Sequence, residues 1–508
     1  MNRDVLKFTA ATAAAIAGVY VLGVVMDSKG GDTRASDTPS AEGQPGATPT
    51  TTATTTAPDP ARLAARPSWQ KPVKPYGLAQ ETYDLTAIKS HAGDTHVKVS
   101  QILGAGAIQM DISAPGIDCA GAWAQDQQTA ANLGPRANYI CLPQQVFGKH
   151  RWRKQQGLSL AFDASSSVIG GTADLKKNLL VTSWYSNDKD DVYLTPKEPN
   201  KSIDSLMFLD KATMTYQFVE LVKPTDSQEL FDIRSLGAHV GGLAISGNIV
   251  YVADTFGMYV FNLDNLTMRD GKYFLPASER WISSMAANDK AHIFGSLAID
   301  STAKSGKQLE SILYTATPGG TSSIYRYSLA KDGTVVGQKT QARGITMTSL
   351  IPNAVTTVPL INLQGVETHN GITYVTSSEE TVNGAPNVNG LFYWKQGGVI
   401  HEQQMPSNGI EQPAIDPATG IMYGLTENDP TPHEPVESTE SPRPRLSAAP
   451  SPSPTLSPTP TPTPTLEATP STGPASPAPT PSGSPTPTYR PRTNFLYSFP
   501  LKDLPPAG

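Results

Sequence analysis

A set of polar side chains in this 508-residue chain stands where chemistry could be done: His239, Asp254, Thr255, His292, Glu379, Glu411, Gln412 and Glu427, each at the edge of a short apolar run. If the runs around His239 and Asp254 pair, a carboxylate lies beside an imidazole. That arrangement can orient a general base or complete a metal site; the plainer outcome is a hydrogen bond between neighbouring strands. Glu411 and Glu427 flank another pair of runs. Paired carboxylates suit glycosidic cleavage, one as acid and the other as base or nucleophile, whereas isolated ones are ordinarily solvated. The densest oxygen-ligand cluster is Ser186-Asn-Asp-Lys-Asp-Asp191. Its Asp188, Asp190 and Asp191 could take calcium, although no Gly and no distal Glu complete an EF-hand loop; a solvated turn is the alternative. No Gly-x-Ser-x-Gly elbow, His-Glu-x-x-His pair, phosphate loop or Rossmann fingerprint occurs.

The elements that must hold these residues repeat about five times along the chain. One copy reads His239-Val-Gly-Gly-Leu-Ala-Ile, then Ile249-Val-Tyr-Val-Ala-Asp-Thr, then Met258-Tyr-Val-Phe-Asn-Leu. Others are Ser296-Leu-Ala-Ile-Asp with Ser311-Ile-Leu-Tyr-Thr, Gln364-Gly-Val-Glu-Thr with Ile372-Thr-Tyr-Val-Thr, and Gln412-Pro-Ala-Ile-Asp with Ile421-Met-Tyr-Gly-Leu. Short β-branched and aromatic runs bounded by Gly, Asn, Asp and Pro are strand and turn signals. A small sheet has two apolar faces and cannot bury them alone. Packing such sheets radially buries both, so the expected fold is an all-β propeller, five-bladed with six open, and a β-sandwich is the competing fold. The start of each first strand and the end of each second strand fall on one face, which would gather the residues named above at the rim of a channel mouth. The third strand of the last blade is Asn494-Phe-Leu-Tyr-Ser-Phe, after a long interruption. The strand-like stretches His96–Ser100 and Ala107–Ile112 could supply its outer strand, or belong to a sixth blade.

The pattern at 243–263, Leu-Ala-Ile/Tyr-Val-Ala-Asp-Thr/Val-Phe-Asn-Leu, resembles blades of the YVTN and NHL type found in secreted bacterial propellers. The resemblance covers about residues 155–428 and 494–503; it implies the fold and leaves the activity open, since such families include binding scaffolds and calcium-dependent hydrolases and lyases. The Ala/Thr/Pro stalk and the Pro/Thr tract resemble those of exported actinobacterial proteins.

Residues 1–27 carry Arg3 and Lys7 ahead of an apolar stretch at 8–26. They read as a signal peptide or signal anchor with the rest of the chain facing outward, membrane-anchored or secreted. Residues 28–75 read as a flexible Thr/Ala/Pro stalk, and 76–508 as the propeller, interrupted at 429–492 by a Pro/Ser/Thr-rich insertion. Cys119 and Cys141 are the two cysteines. An exported compartment favours a disulfide between them, contributing roughly 3 kcal/mol on the chain-entropy model. A net charge of −6 with both signs mixed gives no argument for nucleic acid, and no nucleic-acid partner is expected. The reading leans against enzymatic activity. It expects a cell-envelope binding module whose channel mouth takes an extracellular glycan, a cell-wall polymer or a protein. The alternative is a metal-assisted extracellular hydrolase or lyase acting on a carbohydrate or small ester.

Overall fold

The computed structural model describes residues 63–73, 77–89, 93–104, 107–110, 137–142, 146–147, 151–161, 163–171, 173–186, 204–224, 234–235, 240–283, 292–303, 305–315, 320–342, 345–379, 388–405, 410–426 and 495–507. Among them, antiparallel four-stranded meanders follow one another in a propeller-like architecture. The first contains Arg151–Leu160, Leu179–Ser186, Ser205–Asp210 and Thr215–Lys223. The second contains Leu243–Ser246, Ile249–Asp254, Gly257–Asn262 and Lys272–Ser283. The third contains His292–Asp300, Gln308–Thr315, Ser322–Ser328 and Ala354–Val358. The fourth contains Leu363–His369, Ile372–Glu379, Val388–Lys395 and His401–Gln404. The last contains Ile410–Asp416, Ile421–Thr426 and Phe495–Pro500, with Asn138–Cys141 as its outer strand. The first two meanders join into one larger sheet, because Lys272–Ser283 pairs in parallel with Thr215–Lys223.

Both faces of each meander are covered, so whole strands such as Ile249–Asp254 are buried along their length. One apolar cluster packs the first meander on the second through Val181, Phe208, Val252 and Phe261. Further clusters join second to third, third to fourth and fourth to last. Another packs Ala414, Leu425 and Leu496 of the last meander on Leu158, Leu180 and Trp184 of the first. Each fully buried Leu or Val in these layers contributes about 1.5–3 kcal/mol.

Innermost strands share a local irregularity. Their register shifts between Gln155 and Leu158, Phe294 and Leu297, Leu363 and Gly365, and Ile410 and Pro413. Such bulges re-aim the chain and permit close approach. A Cβ on Gly157 would lie 2.6 Å from the Gly241 carbonyl oxygen, and one on Gly241 would lie 2.5 Å from that of Gly295. The inner strands therefore meet backbone to backbone around the axis. The hairpin at 369–372 turns through Asn370 and Gly371, at φ 51 and 76, the type I′ geometry that matches strand twist.

The N-terminal stretches expected to complete the last meander do not do so. Thr95–His96 pairs with Thr267–Met268 on the outside of the second meander, and Ile108–Gln109 pairs with Thr215–Tyr216 of the first. Between them Val99–Ile102 forms a helical turn, because Val99 and Ile102 bury together at a spacing of one turn. The outer place goes to Asn138–Cys141. Its Tyr139 packs towards the fourth meander and Ile140 towards the first, so alternation serves both faces. Leu78–Thr82 adds a strand between Lys272–Ser283 and Ile345–Leu350.

Residues 63–73, read from composition as the end of a flexible stalk, instead run along the third and fourth meanders. Gln70 exchanges both backbone hydrogen bonds with Val355, and the carbonyls of Leu63 and Pro67 accept from Ile400 and Gly397. Leu63, Ala65 and Trp69 pack on the apolar layer beneath. No helix among the described residues is long and apolar enough to cross a membrane. The expected signal segment, most of the stalk and the 429–492 insertion lie outside the described residues.

Candidate functional site

Gln412 sits at the axis and is 1% exposed. Its Oε1 accepts from the Leu243 amide at 2.7 Å, and its Nε2 lies 2.8, 2.7 and 2.6 Å from the carbonyl oxygens of Leu158, Leu243 and Leu297. One side chain thus ties together the inner strands of four meanders and fills the channel where they converge. Gln155 is fully buried beside it, with its Nε2 donating to the Thr426 carbonyl at 2.5 Å. Glu411 is buried near Tyr497, whose hydroxyl is pushed up in pKa by burial and then by the Glu411 charge.

Asp254 accepts from Arg280 at 2.8 Å and from the Thr255 amide at 2.8 Å, and the guanidinium lies over the Tyr259 ring. Its carboxylate is thus committed to an ion pair. Thr255 is half-buried in the following turn, and its carbonyl accepts from the Phe294 amide. His292 opens its strand opposite Thr315, and Glu379 closes its strand opposite Val388. His239, Glu427, Asp188, Asp190, Asp191 and Cys119 lie outside the described residues, and Cys141 pairs through its backbone with Phe495. Among the described residues, no group of three or more His, Cys, Asp or Glu side chains could hold a metal.

At the opposite end, the first strands finish on Ser246, Asp300, His369 and Asp416, with Asp163 just past the first of them. The sequence signal is the recurring Ala-Phe-Asp or Ala-Ile-Asp at 161–163, 298–300 and 414–416, which also suits plain turns. Asp416 caps its turn by accepting from the Ala418 amide, and Asp163 takes the Lys307 ammonium and the Gly247 amide. Asp300 accepts from Thr302 through Oδ1 and from Arg326 through Oδ2 at 2.9 Å. Arg326 Nε also donates to Glu310 at 2.8 Å, and its guanidinium carbon lies 3.7 Å from the centroid of the Trp69 ring. Glu310 is wholly buried. That burial raises its pKa, while Arg326 pulls it back.

Glu367 and His369 alternate with Thr368 on the innermost strand of the fourth meander, so both project from one face. Glu367 is half-buried and has no hydrogen bond or ion pair among the described residues. Burial pushes its carboxyl well above the ordinary carboxylate range, and the charges of Glu310 and Asp300 push it further. His369 is 9% exposed, and burial lowers its pKa against the opposing pull of Asp300 and Asp416. Its Nε2 lies 2.8 Å from Asn370 Nδ2. With the Asn370 nitrogen donating, Nε2 accepts in this contact. Burial thus favours the neutral form of both groups, the directions in which an acid–base pair is tuned. Neither Glu367 nor His369 carries a sequence signal, since their strand mixes polar and apolar residues.

No family model matches the chain, and no curated protein does. Several solved structures are similar in fold. PhoX of Pseudomonas fluorescens, in complex with vanadate, has a TM-score of 0.29 at 10% identity, over 74% of this chain and 96% of that one. The GH32 β-fructofuranosidase of Bombyx mori has a TM-score of 0.30 at 10% identity, over 63% and 64%. A gluconolactonase of Xanthomonas campestris has 0.26 at 9%, over 57% and 81%. The resemblance to YVTN and NHL blades therefore reduces to a distantly related, propeller-like fold. The lean against enzymatic activity is corrected here: several of the similar structures are those of catalytic proteins. At these scores neither a substrate nor a residue role passes across.

Proposed function

We propose that the chain is an outward-facing, five-bladed closed propeller that cleaves a polar substrate, a carbohydrate or small ester, by acid–base hydrolysis or elimination. The observation that carries this reading is the juxtaposition of Glu367 and His369 on one face of an inner strand, where burial raises the pKa of the carboxyl and lowers that of the imidazole. In hydrolysis, His369 Nε2 removes a proton from water once Asn370 swings aside. The water oxygen bonds to the reacting carbon, and Glu367 gives its proton to the departing oxygen. Water restores both groups, so no other reactant is consumed. Gln412 fills the axis on the other side, so substrate approaches from the Glu367 end. The apolar stretch at 8–26, preceded by Arg3 and Lys7, supports the outward location. The Asp188, Asp190 and Asp191 cluster is kept as a calcium-binding proposal outside the acid–base pair.

The test is turnover of a panel of nitrophenyl esters and nitrophenyl glycosides across pH by the full chain, Glu367→Gln and His369→Gln. Loss of about 100-fold or more in both variants, with folding unchanged, is the expected result for an acid–base pair. Turnover that survives either substitution, or a folded wild type inert on the whole panel, would overturn the reading.

A further inference from the structure

Away from the axis, one sheet splits. Leu78–Thr82 pairs along its whole length with Glu279–Ser283. On its other side only Leu78 and Ala79 have a partner, in Leu350 and Ser349. Beyond Ala79 the two strands part: Ile345–Leu350 keeps its pairing with Gln338–Ala342 and leaves with it as a two-stranded ribbon. Gln80, Glu81 and Thr82 are thus an open edge among the described residues. In an antiparallel ladder alternate residues turn their N–H and C=O to opposite sides, so an edge of this kind keeps backbone groups unpaired.

The parting opens a cleft of about 610 Å³ lined by Gln80 and Thr348, with the short helix Thr86–Lys89 in its wall. Trp281 and Tyr251 lie beneath it and are buried, so the cleft presents polar groups instead. Asn265 is only 8% exposed and lines the cleft, yet its carboxamide has no partner among the described residues. The carboxamide of Gln80 has none there either. Trp281 Nε1 donates to Glu279 Oε2 at 3.0 Å, which leaves the other carboxylate oxygen of Glu279 unpaired among the described residues. Asp84 adds a second carboxylate to the lining, and Lys89 its one cation.

We infer that this cleft binds an extended peptide segment carrying a lysine or arginine, added as a strand to the open edge of Leu78–Thr82. A peptide backbone repeats its donors and acceptors every two residues, the spacing at which a strand edge offers its own. The carboxamides of Gln80 and Asn265 both donate and accept, as pairing with peptide groups requires. Two carboxylates against one ammonium favour a cationic side chain over an anionic one. The cleft shares no residue with the acid–base pair Glu367 and His369, so its occupancy is separate from the proposed reaction.

The experiment titrates the full chain with acetyl-Val-Thr-Lys-Val-Thr-amide and reads the binding heat. The same peptide with glutamate in place of lysine, and two forms of the lysine peptide N-methylated at alternate residues in the two possible phases, are titrated beside it. The lysine peptide binds with a dissociation constant near or below about 1 mM. N-methylation in at least one phase weakens it about tenfold or more, because it removes the donors that face the edge. The glutamate peptide binds about tenfold or more weakly, and Asp84→Asn with Glu279→Gln narrows that difference to about threefold or less while the melting temperature stays within a few degrees. No binding of the lysine peptide, binding that neither N-methylation phase weakens, or a lysine preference that is absent or that the double variant leaves unchanged, overturns the inference.

Discussion

Replacing Gln412 by alanine tests the architecture at its most constrained point. The substitution removes one acceptor, for the Leu243 amide, and a two-hydrogen donor that faces three carbonyl oxygens at 2.6–2.8 Å. An orphaned buried amide costs about 2 kcal/mol and each of the three abandoned carbonyls about 1, so the loss is about 5 kcal/mol before a water enters the vacated space. A water making two or three of those bonds returns part of this, leaving about 2–3 kcal/mol. Gln412→Glu is expected to be worse than alanine, because it turns a carboxylate towards carbonyl oxygens with no donor left. Equilibrium urea unfolding of the full chain, followed by intrinsic fluorescence, measures both variants. An alanine variant within about 0.5 kcal/mol of wild type would refute the view that this side chain holds the inner strands together.

Arg326→Met leaves Asp300 and Glu310 buried without their cation and should cost about 3–5 kcal/mol in the same assay. Trp69→Ala removes only the ring over the guanidinium and its packing, and should cost about 1–2 kcal/mol. The pair Glu367 and His369 gives stability a two-sided pH dependence. The raised pKa of Glu367 means that its contribution is full below the ordinary 4.5 and is lost as pH rises through the folded value. The lowered pKa of His369 means that its contribution is present above 6.5 and is lost as pH falls through the folded value. Urea midpoints across pH should therefore show a shallower alkaline limb in Glu367→Gln and a shallower acid limb in His369→Gln. Excess calcium should raise the melting temperature of the full chain by a few degrees, and EDTA should abolish the rise; Asp188→Asn with Asp190→Asn should show none.

The strand repeats were legible because their physics is local. Ile249–Asp254 and Gly257–Asn262 are short β-branched and aromatic runs broken by turn residues, and the last meander's third strand was visible at 495–500 across a long interruption. Asn138–Cys141 was not, since four residues outside the repeat carry no pattern of their own. Gln412 read as a rim residue because a polar side chain at a strand start points to a mouth. What it meets is backbone from strands distant in sequence, and backbone carbonyls leave no mark on residue type. Trp69 shows the same limit: a tryptophan in a Pro-rich stretch reads as tail, and only the guanidinium of Arg326 gives it a place. Glu367 was not singled out, because its burial and the nearby charges of Glu310 and Asp300 come from strands of another sheet.

The pairing of Asn138–Cys141 with Phe495–Pro500 has a consequence for the order in which the protein can be made. The first of these strands is synthesised long before the second, so a nascent chain cannot form this ladder until the later strand has emerged. Until the final strand arrives, Ile421–Thr426 keeps a bare edge and part of the apolar layer around Leu425 lies open. Unpaired edges of this kind recruit other chains. The intervening residues 427–494 lengthen that wait in time but add little to the entropy of closure, which grows only with the logarithm of loop length. Completion of the last meander thus waits on a strand made long after its ladder partner.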